Sequence, residues 1–482
     1  MHCKMVFRYS HKSRFDQRPP AAPGWSSYKT ALLFLSGWLL SACCSHQLLE
    51  IDPAFAQVPT QLEIDSEGPG NGGRVFYLPE CCWPEIPESD PESLLPGRAG
   101  TPIYSGLDSL SRDQFSLLRH RSFALLTNAT GTDRNLAHSL DLMIESGVKP
   151  SLVFEPEHGL YGHLDEVAGD GIRRDPVRDL RILSLYSTRR KPAPEHLEGI
   201  DLIVVDIQNL PVRCYTYIST LTYLMEMAEE LNIELMILDR PNPYGFWEAQ
   251  GPILNQEYVS FVGTAPVPFM YSLTPGEYAR YMKALRFQRM RLTVVRVAGY
   301  TRGDIDAPVR GSWINPSPNI PSLESALVYP GVVFYEGTRF SLGRGTTRPF
   351  IYSGAPWLNS TQVLAELKAL NLPGVEFTEV VFTPTSSHYQ GQTCRGIQIN
   401  PVSARFDSLR TGYEYMRIVR RLHPDQFQYL PNRQGHNFID LLWGGPGYRL
   451  AIEQDLDWKS FRSTWIDDAH KFERLVAPYR LY

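Results

Sequence analysis

Several polar clusters in this 482-residue chain carry side chains that do chemistry. The most pointed is Phe154-Glu155-Pro156-Glu157-His158-Gly159. Pro156 holds the local backbone away from helix, so Glu157 stands on a stiff loop. A carboxylate held there suits general acid–base work, and it equally suits an ion pair with Arg213 or a cap on a following helix. His158 suits orienting Glu157 or binding a ligand; a neutral, hydrogen-bonded loop histidine is the plain alternative. Other candidates are Asn128, then Asp206 with Gln208, Arg213 and Tyr217, then Asp239-Arg240-Pro241-Asn242-Pro243, and later Asn319 and Glu336. Asp206 and Asp239 end apolar runs, where a carboxylate also serves simply to fix an arginine such as Arg213 or Arg240. In Gly343-Arg344-Gly345-Thr346-Thr347-Arg348, glycines free backbone N–H groups beside two arginines. That combination suits a carboxylate or a phosphate, with a tight turn bearing solvated arginines as the alternative.

Other chemistries lack their motifs. Glu157, His158, His163 and Asp165 lie close together, but the spacing matches no His-Glu-x-x-His helix, and no metal is expected. There is no Gly-x-Ser-x-Gly elbow, no phosphate-binding Gly-x-x-x-x-Gly-Lys-Ser/Thr, and no Gly-x-Gly-x-x-Gly after the first strand. No cofactor is expected. With 47 basic and 52 acidic residues the net charge is −5, which argues against a general nucleic-acid binder. The 25 tyrosines and nine tryptophans stack on sugars and bases alike, so they point to a polar ring ligand without choosing one. Seven cysteines make no disulfide framework, although a Cys214–Cys394 bridge stays open.

The elements that must position these groups are those of an α/β fold. Phe123-Ala124-Leu125-Leu126-Thr127-Asn128, Ser151-Leu152-Val153-Phe154, Asp201-Leu202-Ile203-Val204-Val205-Asp206 and Glu234-Leu235-Met236-Ile237-Leu238-Asp239 read as buried strands. Helical periodicity lies between them: Leu136, Leu140, Met143 and Ile144 share one face and Gly147 suits the cap, and a second helix runs from roughly 220 to 231. Strands alternating with helices imply a parallel sheet covered on both faces. Thr274-Pro275-Gly276-Glu277 opens a further helix with a capping box, so Glu277 reads as structural. The polar clusters each follow a strand, and ligands of open α/β sheets bind outside the carboxyl ends of the strands, which predicts one shared site. From about Ser312 the pattern is less regular, with Asn315-Pro316-Ser317-Pro318-Asn319-Ile320-Pro321 and Tyr329-Pro330-Gly331. A smaller α+β domain facing the strand ends is expected there, giving domains at 101–311 and 312–482.

The N-terminus reads as a targeting segment. Residues 1–28 are basic and polar, and Lys29 precedes an apolar run over 31–40. That run is too short to span a bilayer comfortably and suits the core of a signal peptide. It ends in Leu40-Ser41-Ala42-Cys43, like a bacterial lipobox, so Cys43 is the expected lipidated residue. Export and a lipid anchor in the cell envelope, facing the periplasm, follow. Residues 44–100 hold many Pro, Gly, Ser and acidic residues and read as a flexible tether.

Taken together, the segments resemble one family, the NamZ-like exo-β-N-acetylmuramidases. The resemblance rests on Thr127-Asn128-x-Thr130-Gly131, Glu155-Pro156-Glu157-His158-Gly159, Asp206-Ile207-Gln208 with Arg213-x-Tyr215-Thr216-Tyr217, and Leu238-Asp239-Arg240-Pro241-Asn242-Pro243. It continues through Pro316-Ser317-Pro318-Asn319-x-Pro321, Gly343 to Phe350, Tyr389-Gln390-Gly391 and Cys394-Arg395-Gly396. It implies a Rossmann-like catalytic domain, a smaller C-terminal domain and a cleft between them. It also implies removal of N-acetylmuramic acid from the non-reducing end of peptidoglycan fragments, with the family's key glutamate falling on Glu157.

Under that reading Glu157 is the general acid, and Asp206, Asp239 or the substrate's own N-acetyl group is the second reacting group. Arg213, Arg344 or Arg348 would pair with the lactyl carboxylate. Asn128, His158, Gln208, Tyr217, Asn242 and Asn319 would contact the sugar. The chain departs from the family pattern at Asn209-Leu210-Pro211, at Tyr271-Ser272-Leu273, and at Arg339 and Leu342. Two other readings stand beside this one: a non-catalytic muropeptide-binding lipoprotein, and a metal-dependent hydrolase of another envelope substrate.

Overall fold

The computed structural model describes the backbone of residues 63–65 and 74–77 and, from 102 to 482, all but 165–168, 170, 187, 304–312 and 433–434. Cys43, the signal segment, Cys81-Cys82 and Asp165 lie outside the described residues. Described strands are β1 (Glu63–Asp65), β2 (Arg74–Tyr77), β3 (Phe123–Thr127), β4 (Leu152–Glu155), β5 (Ile172–Asp175), β6 (Leu180–Ser184), β7 (Leu202–Asp206), β8 (Glu234–Leu238) and β9 (Leu292–Val295). They form one sheet in the order β1-β2-β9-β8-β7-β3-β4-β6-β5. Pairing is parallel from β2 to β6, and β1 and β5 close the two edges antiparallel. β1 and β2 fall inside the stretch expected to be a tether.

The strand order explains where a site can form. The chain winds outward through β3, β4 and β6, then returns to lay β7 against the other side of β3. Strand order therefore reverses between β3 and β7, and the carboxyl ends there border a crevice. In register, Thr127 pairs with Asp206 and Glu155 with Ser184, so the residues that follow each strand emerge at one level.

Both faces of the sheet are buried because alternate residues point to opposite sides. Phe123, Leu125, Val153, Leu202 and Val204 pack on the face covered by α1 (Gly106–Arg112) and α2 (Ser139–Glu145). Ala124, Leu126, Leu152, Ile203 and Val205 face the side of α3 (Tyr217–Glu230). Leu136 is not on the α2 face as expected. It is 50% exposed with φ of +68°, because Asp133 accepts from the backbone of Asn135 and Ala137 and holds a turn ahead of the His138 cap. α4 (Pro275–Leu285) carries the expected capping box, with Thr274 and Glu277 bonded reciprocally.

The C-terminal half is α+β. β10 (Tyr352–Ala355), β12 (Cys394–Pro401) and β11 (Val375–Phe382) form an antiparallel sheet in that spatial order. The helices Leu323–Val332 and Ser408–Leu422 cross at Gly331 and Gly412, where a Cβ on Gly412 would come within 1.8 Å of the Gly331 carbonyl oxygen. Only glycine permits that approach. One apolar core runs through both halves, joining Phe269 to Phe334 and Trp443. Cys214 and Cys394 are both buried and free, so the bridge left open by the sequence does not form.

Candidate active site

The carboxyl ends of the parallel strands deliver the site. Asn128 follows β3, Glu157 follows β4, Tyr186 follows β6 and Gln208 follows β7. After β4, the Pro156–Leu164 segment folds back on itself. His158 takes φ of +72° and Gly159 +74°. The left-handed turn at a non-glycine residue is held by the His158 ring, whose Nδ1 lies 2.7 Å from the Leu164 carbonyl, and by the Leu164 N–H bonding the His158 carbonyl at 3.2 Å. His158 is therefore a brace for the loop. Glu155 is the loop's buried anchor, accepting from the Leu160 N–H at 2.9 Å and from Arg173 at 2.5 Å. Those bonds leave Glu157, two residues on, as the half-buried carboxylate at the crevice.

Three side chains define the surroundings of Glu157. The hydroxyl of Thr216, the residue that caps α3, donates to Glu157 Oε2. Tyr217 lies beneath, its hydroxyl 3.3 Å from the Glu157 carbonyl and bonded to the Pro316 carbonyl. Tyr186 engages both the Glu157 carboxylate and Arg190, and burial together with the Glu157 charge pushes its phenol up to about 12. Its hydroxyl therefore stays protonated across the physiological range. Thr216 and Tyr186 were not singled out from the sequence. Tyr186 had a readable signal, since it stands two residues past an apolar run, Leu180–Ser184, as Glu157 does past β4.

The C-terminal half contributes from the opposite side. Arg344 pairs with Glu336 and lies in the field of Glu157 as well, and these carboxylates raise its pKa against the opposing effect of burial. His388, on the loop between β11 and β12, sits near Glu336, Arg339 and Arg344, and burial pushes its imidazole pKa down. Thr385 donates to the Gly345 carbonyl through its N–H at 2.9 Å, which ties that loop to the glycine–arginine segment.

Several expected contacts are corrected by burial. Asp206 is fully buried and holds Arg240, whose Nε and Nη2 lie 2.8 and 2.5 Å from Oδ1. It has no access to a substrate water, and its place is the structural one foreseen as the alternative, with Arg240 as the arginine fixed. Arg213 is 1% exposed and donates to the carbonyls of Pro252, Val267 and Trp443, so it cannot meet a lactyl carboxylate. Asp239 is also buried and accepts from Gly276, Thr274 and Tyr482.

Asn128 and Tyr217 are buried and bonded to each other at 2.9 Å, and Asn128 Oδ1 also holds Thr130. They support the site from below. Asn242 is buried and accepts from the Tyr244 N–H at 2.7 Å, and Asn319 is buried with its N–H on Ser317. Gln208 is half-buried at the crevice, its amide bonded to the Asn209 and Pro241 carbonyls. Arg348 reaches outward to Glu324 at 3.4 Å. Among the described residues no three His, Cys, Asp or Glu side chains converge as a metal site. Two of the family departures form one contact: Asn209 donates to the Tyr271 hydroxyl at 2.5 Å, both buried.

Fold and site together define a two-domain α/β protein with a carboxylate-bearing crevice at the switch point of a Rossmann-like sheet. Residues 123–324 match the N-terminal profile, and residues 327–482 the C-terminal profile, of the exo-beta-N-acetylmuramidase NamZ. The chain belongs to that family of glycosidases. It is 36% identical over 384 residues to the peptidoglycan beta-N-acetylmuramidase NamZ of Bacillus subtilis (strain 168), covering 79% of this chain and 91% of that protein. Two solved structures from Bacteroides fragilis NCTC 9343, both DUF1343 family proteins, are similar throughout. One is 31% identical with a TM-score of 0.72, the other 28% with 0.63, and each alignment covers 79% of this chain and 99% of the other.

Proposed function

We propose that this chain is an exo-acting glycoside hydrolase releasing N-acetylmuramic acid from the non-reducing end of peptidoglycan fragments, with Glu157 as the general acid. The observation that carries the reading is the Glu157 carboxyl group, partly exposed at the sheet's switch point with one oxygen bonded by Thr216. The Bacillus relative, named for the same activity on peptidoglycan, supports the substrate class.

In this mechanism Glu157 protonates the glycosidic oxygen as positive charge develops on the muramyl ring. Thr216 fixes one carboxyl oxygen and so sets the plane from which the proton leaves. With Asp206 and Asp239 buried, the second reacting group is Glu336, which is only partly buried, or the substrate's own acetamide. Arg344, held by Glu336 and close to Glu157, supplies the cation for the lactyl carboxylate, and Gln208 meets the sugar. The test is N-acetylmuramic acid release from a chromogenic muramide. Glu157→Gln should lower turnover by about 10²- to 10⁴-fold at an unchanged melting temperature. Near-normal turnover by the folded variant removes Glu157 from the role.

A further inference from the structure

The mechanism leaves unused an open cleft of about 550 Å³ beside α3. Its lining includes Arg189, Arg190, Lys191 and Arg286, with Glu226 as the one acid among the described lining residues. Lys191 and Arg286 both lean on that single carboxylate, Arg286 at 3.6 Å, so positive charge is in excess. Arg190 is the centre of the arrangement. Its guanidinium lies 4.0 Å from the Tyr186 ring centroid and 4.2 Å from that of Phe261, and its buried Nη1 has no hydrogen-bond partner among the described residues. Tyr186 and Phe261 adjoin, with ring centroids 5.8 Å apart, and contact with both pre-orients the guanidinium fork; a buried donor without an acceptor is costly unless a ligand supplies one.

Side chains link the cleft to the Glu157 carboxylate, beginning with Arg190 in the lining, which lies on the Tyr186 ring. Tyr186 engages Glu157 on one side and Arg190 on the other. Thr216, Ser219, Tyr223 and Glu226 follow one another at helical spacing along α3, from the Glu157 contact to the cationic cluster. Ten residues of helix span about 15 Å. A group bound at Lys191 and Arg286 is therefore remote from the bond that Glu157 would protonate and belongs to an extended substrate.

The geometry points to a distal subsite, formed by Arg190, Lys191 and Arg286, that binds a carboxylate carried on the leaving part of the substrate. This inference rests on the glycosidase reading and deepens it. In peptidoglycan two carriers meet the description, the lactyl group of a second muramyl residue and the carboxylates of a stem peptide. Both offer the planar anion that an arginine fork recognises.

The test compares wild type with the double variant Lys191→Ala/Arg286→Glu, which leaves Tyr186 and its contacts in place. Three substrates are needed: a chromogenic muramide with a neutral leaving group, a muramyl trisaccharide ending in a second muramyl residue, and the same trisaccharide bearing a stem peptide. The variant should keep kcat/KM on the chromogenic substrate within about twofold. It should lose about tenfold or more on a carboxylate-bearing substrate, chiefly through KM, as expected for one or two lost charge-assisted contacts. Reducing that carboxylate to an alcohol should erase the difference between wild type and variant. Loss on the trisaccharide without peptide assigns the lactyl group, and loss only with peptide assigns the stem. Equal loss on all three substrates, or loss on none, overturns the proposal. If wild type cleaves no muramide, the glycosidase reading fails by itself. Calorimetric binding of the peptide-bearing trisaccharide to both proteins then decides the subsite, and equal affinities overturn it.

Discussion

Glu157 depends for its orientation on a hydroxyl three strands' worth of sequence away. The Thr216 side chain donates to one carboxyl oxygen, while Tyr217 and Asn128 support the backbone beneath. Replacing that hydroxyl with a methyl group keeps volume and removes only the bond. Thr216→Val should therefore lower kcat on a chromogenic muramide by about tenfold with little change in KM, since a misoriented acid affects the reacting geometry more than binding. Thr216→Ser should restore most of the loss. An effect confined to KM, or no rescue by serine, would show that Thr216 does something other than hold the acid. Of this cluster, the motif around Glu157 was legible in the sequence because proline and glycine bracket a charged pair right after an apolar run. Thr216 was not singled out, because periodicity places the helix start near 220, whereas the structure starts α3 at Tyr217 with Thr216 at its cap.

At the scale of elements, the amino end of α4 docks on the end of β8 through Asp239. Its carboxylate accepts the Gly276 N–H at 2.8 Å and the Thr274 hydroxyl at 2.7 Å, and burial lifts its pKa from 3.8 to about 7. Because the folded value lies above the unfolded one, the folded state keeps a proton that the unfolded chain has lost between about pH 4 and 7. Stability should fall as pH rises through that window and level off above it. Asp239→Asn cannot ionise. Its melting temperature, compared with wild type, should improve steadily from pH 5 to 7.5, whatever the offset from a changed acceptor. A flat or inverted difference would mean that Asp239 stays ionised in the fold. The capping box that opens α4 was plain in the sequence, because Thr, Pro and Glu stand at their positions. The helix Leu323–Val332 was not, because Pro330 and Gly331, poor helix formers, break its pattern. Its course is decided by the close approach of Gly331 to Gly412, 81 positions along the chain.

Over the whole molecule, Arg213 knits the halves. Its guanidinium meets two carbonyls of the first domain and the Trp443 carbonyl of the second, and Gly444 leaves room for it. The apolar core shared by the two halves should make them melt together. Arg213→Met should leave three carbonyls without their donor and destabilise by about 3 kcal/mol. Calorimetry should still record one transition, at lower temperature. Two separated transitions in the variant would show that Arg213, and not the shared core, couples the melting of the halves, and an unchanged melting temperature would show that it is no tie.

The sequence by itself determined the alternation of buried strands and helices, the α4 cap, the motif holding Glu157, and the family resemblance. These are local properties: periodicity, turn chemistry and motif order all lie within a few residues of chain. It alone speaks for export and for a lipid anchor at Cys43, which lie outside the described residues. The tertiary structure decided which polar residues can reach a ligand. Asp206 and Arg213 carry the same charges as Glu157 and Arg344 and looked equally able, yet packing buries the first two and leaves the others at the crevice. Burial depends on what the rest of the chain brings against a side chain. The same holds for Arg190, whose contact with the adjoining rings of Tyr186 and Phe261 exists only once residues 75 positions apart are folded together.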